Sequence, residues 1–148
     1  MSQEPSGIDG GVVVGTDVSE GGRAALRFAA SEALLRGVPL HVVRAWSLSN
    51  APRPATARFG EVPSLAEYEV AVRAELADEV STVLADVPGA DQLTVIEHVV
   101  HGPAAAALVA ASAHADLLVV GARGRGGFLG LLLGGISDQV VRFSVCPV

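Results

Sequence analysis

Gly11-Val12-Val13-Val14-Gly15-Thr16-Asp17-Val18-Ser19 begins with three β-branched residues between glycines and closes on a set of turn-forming residues. An apolar run of this kind, with no polar alternation, suits a strand buried on both faces. From about Gly21 to Arg36, Leu26, Ala30, Ala33 and Leu34 fall on one helical face. Ser19 can cap the start of that helix, and Gly37 suits a left-handed stop. The same alternation recurs along the chain. Leu40 to Trp46 reads as a second strand, and Ser64 with Glu67 forms a capping box opening a helix that Pro88-Gly89 ends after about Val87. Leu93 to Val100 is a third strand, Pro103 to about Ala113 a helix, and Asp116 to Gly121 a fourth strand. A glycine-rich stretch from Gly121 to Gly135 then leads into a last helix, about Ile136 to Phe143. Residues 47–63, with Pro52, Pro54 and Pro63 and no periodicity, form a long internal loop and a candidate lid. Buried strands alternating with helices demand a parallel sheet with right-handed crossovers, covered on both faces. The expected fold is α/β: an open, doubly wound, Rossmann-like parallel sheet in one domain spanning residues 1–148.

Composition agrees with a single core. The chain has 148 residues, of which 50% are hydrophobic and 18% charged, which excludes a disordered chain. Aromatics are only 4%, so the core must be built from Val, Leu and Ala. A mean hydropathy of +0.46 calls for a membrane check. The most apolar stretch, Val99 to Ala122, is interrupted by His101, Pro103, His114 and Asp116, leaving pieces short of the ~20 residues that span a bilayer. The N-terminus has neither the basic nor the apolar region of a secretory signal. The single cysteine, Cys146, cannot form an intramolecular bridge, so the expectation is a cytoplasmic protein with no membrane association. A net charge of −6 argues against a nucleic-acid partner. All ten basic residues are Arg, so no Walker-type phosphate loop and no lysine nucleophile can be formed.

In an open parallel sheet, ligands bind beyond the carboxyl ends of the strands, where strand order reverses. Here those ends carry Thr16-Asp17, Trp46, Gly102 and Gly121. In the glycine-rich segment, backbone N–H groups can approach an anion and the next helix adds its partial positive charge. Arg123 and Arg125 add formal charge, and Ser137 a hydroxyl. Such a segment is a phosphate site or, on its glycines alone, a flexible loop. A dinucleotide-type GxGxxG would belong after the first strand, which instead reads Gly15-Thr16-Asp17-Val18-Ser19.

The spacing Gly121-x2-Gly124-x9-Gly134, followed by Gly135-Ile136-Ser137, resembles the G-x2-G-x9-G-[ST] signature of the universal stress protein family. The first-strand Val-Gly-Thr-Asp-x-Ser, the Gly102 turn and the Cys146-Pro147-Val148 ending are similar to that family as well. The resemblance implies strand order 3-2-1-4-5 and ATP, alone or with Mg2+, held across the strand 1/strand 4 edge. It implies that Asp17 reads the adenine or ribose with Thr16 beside it, and that Ala45 lines the base pocket. By the same resemblance, Val120 and Gly121 bracket the ribose, while Arg123, Gly124, Gly134, Gly135, Ile136 and Ser137 surround the phosphates. Position 135 is Gly where the pattern has Ser or Thr, so ATP binding is expected to be weakened rather than abolished, with Ser137 compensating. The family's homodimer uses a fifth strand beyond Cys-Pro-Val. This sequence stops at Val148, so the expectation is order 3-2-1-4 with the fifth strand and its interface in question.

Other residues have plainer readings. His98 and His101 fall on opposite faces of a strand and complete no metal cluster, which makes them structural surface histidines. The acids from Glu67 to Asp86 form a solvated helix face. Asp17 can instead bond local N–H groups, Cys146 can be packing, and Trp46 covers either the pocket or the core. The function implied is a small ATP-binding regulatory protein of the stress response, signalling by nucleotide occupancy. Two alternatives stand beside it: a slow ATPase, for which no general base is assigned, and an interaction module that binds no nucleotide.

Overall fold

The computed structural model describes residues 5–122 and 135–148. Along the chain the elements are β1 (Val12–Gly15), α1 (Glu20–Arg36), β2 (Leu40–Trp46), α2 (Leu65–Leu84), β3 (Val95–His101), α3 (Ala104–Ser112), β4 (Leu117–Val119) and α4 (Gly135–Phe143). Among the described residues the four strands form one sheet, parallel as the alternation required and in the order β3-β2-β1-β4 that the family resemblance implied. β1 lies in the interior, paired with β2 from Val12↔Leu40 to Gly15↔Val43 and with β4 from Val12↔Leu117 to Val14↔Val119. The chain runs from β1 outward to β2 and β3, then returns across to β4. The order therefore reverses between β1 and β4.

The three valines of β1 are fully buried because each points into one of two cores. Val12 and Val14 face α1 and α2, where they join Leu26, Ala30, Ala33, Val42, Val72, Leu76 and Val83. Val13 faces the other layer with Val43, Val100, Ala107, Leu108, Leu118 and Val140. Burying one such valine is worth about 1.5–3 kcal/mol. Trp46 belongs to the first core, 2% exposed and stacked between Tyr68 and His101, so it is not a pocket cover.

The boundary signals acted as expected, with small shifts. Ser19 caps α1 by accepting the Gly22 N–H, and Gly37 ends the helix at φ 67°. Ser64 and Glu67 make the capping box of α2. That helix stops at Leu84 rather than Val87, and a short 3-10 turn at Ala90–Gln92 delays β3 to Val95. Pro103 caps α3 from outside instead of occupying its first turn. The loop at residues 47–63 is tied down at its start, where Ser47 donates to the Asn50 side chain and Arg44 Nη2 donates to the Asn50 carbonyl.

Two readings of charged or polar residues need correction. Glu79 of α2 is 6% exposed, not part of a solvated face, and Glu75 is half-buried against Arg44 of β2 at 3.3 Å. His98 is not simply at the surface. It lies on the opposite face from His101, as expected, but there it meets buried His41 of β2, with Nδ1 of His41 2.9 Å from Nε2 of His98. A strand-to-strand pair of this kind depends on register, which one strand read alone does not reveal.

The His41–His98 contact requires one ring to donate and the other to accept, so a neutral acceptor is obligatory. Burial lowers both pKa values, and for His98 the neighbouring His41 lowers it further. Both groups are then less basic folded than unfolded. Their contribution to stability is intact above pH 6.5 and is lost as pH falls below it, when the unfolded chain takes up protons that the fold refuses. Urea unfolding between pH 8 and 5 should show this decline, and the slope should be shallower in His98→Gln; identical slopes would disprove the linkage. The start of β1 gives a second test. Gly11 has φ 92°, a Cβ placed there would stand 2.7 Å from the Pro39 carbonyl oxygen, and its N–H donates to Asp116 Oδ2 at 2.7 Å. Gly11→Ala should cost more than about 2 kcal/mol of unfolding free energy by chemical denaturation.

Candidate functional site

The carboxyl ends of β1 and β4 are neighbours because the strands are parallel and in register. Continuing that register places Val120 level with Gly15 and Gly121 level with Thr16. Thr16 remains tied to β2 through its N–H to the Val43 carbonyl at 3.0 Å, two residues before Ala45. Ala45 lies on the α3/α4 side of the sheet, partly buried against that core.

The turn after β1 is locally built. Asp17 Oδ1 accepts both the N–H of Ser19, at 3.1 Å, and the Ser19 hydroxyl. The local role considered for Asp17 is therefore real, and it aims the carboxylate along the turn. Val18 sits at φ 62°, uncommon for a β-branched residue. Its N–H donates to Thr16 Oγ1 and its carbonyl accepts from Arg23 Nη1, each at 3.3 Å. Gly22 packs directly on this turn: a Cβ there would stand 2.9 Å from Thr16 Oγ1 and 3.0 Å from Asp17 Oδ1. Thr16 is itself buried and donates its hydroxyl to Glu79 Oε1. Burial pushes the Glu79 carboxyl above the ordinary carboxylate range, and Asp17 pushes it the same way. The Thr16 hydrogen bond, Arg23 and Arg44 act in the opposite direction.

On the β4 side, Ser137 in the first turns of α4 is buried and donates its hydroxyl to the Gly121 carbonyl. That bond fixes the start of α4 to the end of β4. It also occupies the only proton the hydroxyl can donate, so Ser137 must rotate before it can give a hydrogen bond to an anion. Ile136 is 48% exposed, and among the described residues nothing stands within 4 Å of a Cβ added to Gly135. Arg123, Gly124 and Gly134 lie outside the described residues. The structure thus brings Thr16, Asp17, Val120, Gly121, Gly135, Ile136 and Ser137 to one end of the sheet at β1 and β4, with Ala45 one strand away. Sequence reading missed Glu79 and Gly22; an acid in a helix pattern otherwise facing solvent carries no mark of burial.

A groove of about 580 Å3 runs along the outer side of β4, lined by Leu117–Ala122, Gly21, Phe28 and Val148. Among the described residues it touches Val120 and Gly121 but not Thr16, Asp17 or Ser137. The C-terminal residues follow it, the Pro147 carbonyl accepting from Leu118 N–H at 2.9 Å. Among the described residues there is no group of three or more His, Cys, Asp or Glu placed to hold a metal ion. No helix among them is long and apolar enough to cross a membrane.

Comparison with known proteins agrees with this geometry. A universal stress protein of Mycobacterium tuberculosis strain H37Rv is 34% identical over 142 residues, covering 93% of this chain and 46% of its own length. The chain therefore spans about half the length of that relative. Among solved structures, universal stress protein UspA from Lactobacillus plantarum superposes with TM-score 0.69 at 19% identity, covering 95% of each chain. A universal stress protein solved in complex with cAMP gives TM-score 0.60 at 28% identity, covering 96% of each. The universal stress protein family matches residues 11–148, which include the whole sheet and the lip where β1 and β4 end. By its sheet order, its β1 turn and that match, the chain belongs to the universal stress protein family.

Proposed function

We propose that this domain binds ATP at the β1/β4 lip and acts in the stress response as a regulatory protein whose output depends on nucleotide occupancy. The observation that carries this reading is that the Asp17 turn after β1 and the start of α4, held to the end of β4 by the Ser137–Gly121 bond, lie at the same end of the sheet. The nine-residue helix α4, beginning at that end, in this reading turns its N-terminus and a partial positive charge toward the ligand. In this reading Asp17 and Thr16 take the adenosine side, with Ala45 at the base and Val120 and Gly121 at the ribose. Gly135, Ile136 and Ser137 face the phosphates, with Arg123, Gly124 and Gly134 completing the cradle. The residues fit such a ligand: the site offers a carboxylate for hydroxyl or amino groups, and no described residue stands within 4 Å of a Cβ placed on Gly135, on the phosphate side. The relative solved with cAMP favours an adenine nucleotide. Mg2+ accompanying the phosphates, a cytoplasmic location and a homodimer belong to the same proposal.

One observation favours a second reading, an interaction module without nucleotide. Gly135 lacks the hydroxyl of the family pattern, and the Ser137 hydroxyl is committed to Gly121. Isothermal titration with ATP, alongside mass spectrometry of nucleotide released on denaturation, separates the two. The nucleotide reading expects ATP binding, tightened in Gly135→Ser by roughly one to two decades, because a hydrogen bond to a charged group is worth ~1.5–3 kcal/mol. No bound nucleotide and no heat with ATP in either protein would leave the interaction module standing. Gly22→Ala tests the adenosine side. Removing a helical glycine gains up to about 1 kcal/mol, which offsets part of the cost of displacing Thr16 and Asp17, and circular dichroism melts establish that the variant is folded. The added methyl crowds Thr16 and Asp17, and ATP affinity should drop at least fivefold.

A further inference from the structure

Glu79 is buried in a helix otherwise lined with exposed or half-buried acids, and the position needs a reason. Its Oε1 accepts the Thr16 hydroxyl, while Oε2 accepts no hydrogen bond from any described residue. Around it stand Arg23 of α1, Arg44 of β2, and the carboxylate of Asp17 on the β1 turn. Glu75, one turn earlier on α2, is engaged by Arg44.

The Thr16 hydroxyl has one proton and two lone pairs. With the proton given to Glu79, a lone pair is presented to the Val18 N–H, the contact seen at 3.3 Å. Val18 occupies the left-handed region, where a β-branched residue is strained and persists only if its surroundings over-determine it. The Thr16–Val18 contact is one of those constraints, and Asp17 lies between the two residues. We propose that Glu79 is a positioning residue of the nucleotide site: from α2 it orients the Thr16 hydroxyl, which holds the Val18 turn and with it the Asp17 carboxylate. This inference rests on the ATP-binding reading above. It assigns to α2, remote in sequence from the glycine-rich signature, a part in shaping the site.

Three variants at position 79 separate positioning from mere support of the fold. Glu79→Gln keeps an acceptor at the same reach, Glu79→Asp keeps the charge but withdraws it by one methylene, and Glu79→Met keeps the length without an acceptor. ATP titration of the full chain should find the Gln variant within threefold of wild type. The Asp and Met variants should lose at least tenfold, with the Val18 amide exchanging faster in both. If Glu79→Met does not fold, Glu79→Asp decides, and circular dichroism melts identify the folded fraction. Wild-type affinity in the Asp variant, whatever its melting temperature, overturns the positioning role while leaving the ATP reading intact. Absence of ATP binding by the wild-type chain overturns both.

Discussion

Everything else in this domain is arranged around the burial of β1 on both faces and both edges. Val12, Val13 and Val14 are without exposure because β2 and β4 supply the edges and two helical layers supply the faces. A strand so enclosed has nowhere to place polar side chains until its last residues. Thr16 and Asp17 are therefore pushed to the lip of the sheet, and polar chemistry concentrates there. The reversal of strand order between β1 and β4 keeps crossover connections from covering that lip.

At the lip, short-range and long-range constraints meet on one turn. Asp17 and Ser19 satisfy each other within three residues, as helix starts commonly do. Thr16 is instead held from α2, and Val18 from α1 through Arg23. A strained residue flanked by two inter-element bonds is a pre-organised geometry, in which the cost of ordering is met during folding rather than at ligand binding. On the opposite bank the Ser137 hydroxyl joins the start of α4 to the end of β4.

Glu79 also shows how a polar group can be retained inside an apolar layer. Burial opposes its charge, while two arginines and one hydroxyl support it. Removing one partner would leave a buried carboxylate with less of that support, and a buried group that loses a partner is costly. The His41–His98 pair is the analogous feature of the other layer, two imidazoles in contact where the first sets a carboxylate among arginines.

The order of elements, both helix caps of α1 and the capping box of α2 were legible in the amino-acid order, because each rests on periodicity or on contacts within four residues. That Asp17, Gly121 and Ser137 would lie near the ends of β1 and β4 followed from their places after strands and in the glycine-rich stretch. Glu79, Gly22 and the histidine pair were not legible, since their roles depend on partners at separations of 63 residues for Glu79–Thr16 and 57 for His41–His98, or on the close approach of a helix to a turn. Sequence alone thus determined which segments are strands and helices, through local bonding and the burial period. Only the tertiary structure decided which acid is buried, which histidines touch and where the Ser137 proton goes, because register and helix packing bring those groups together.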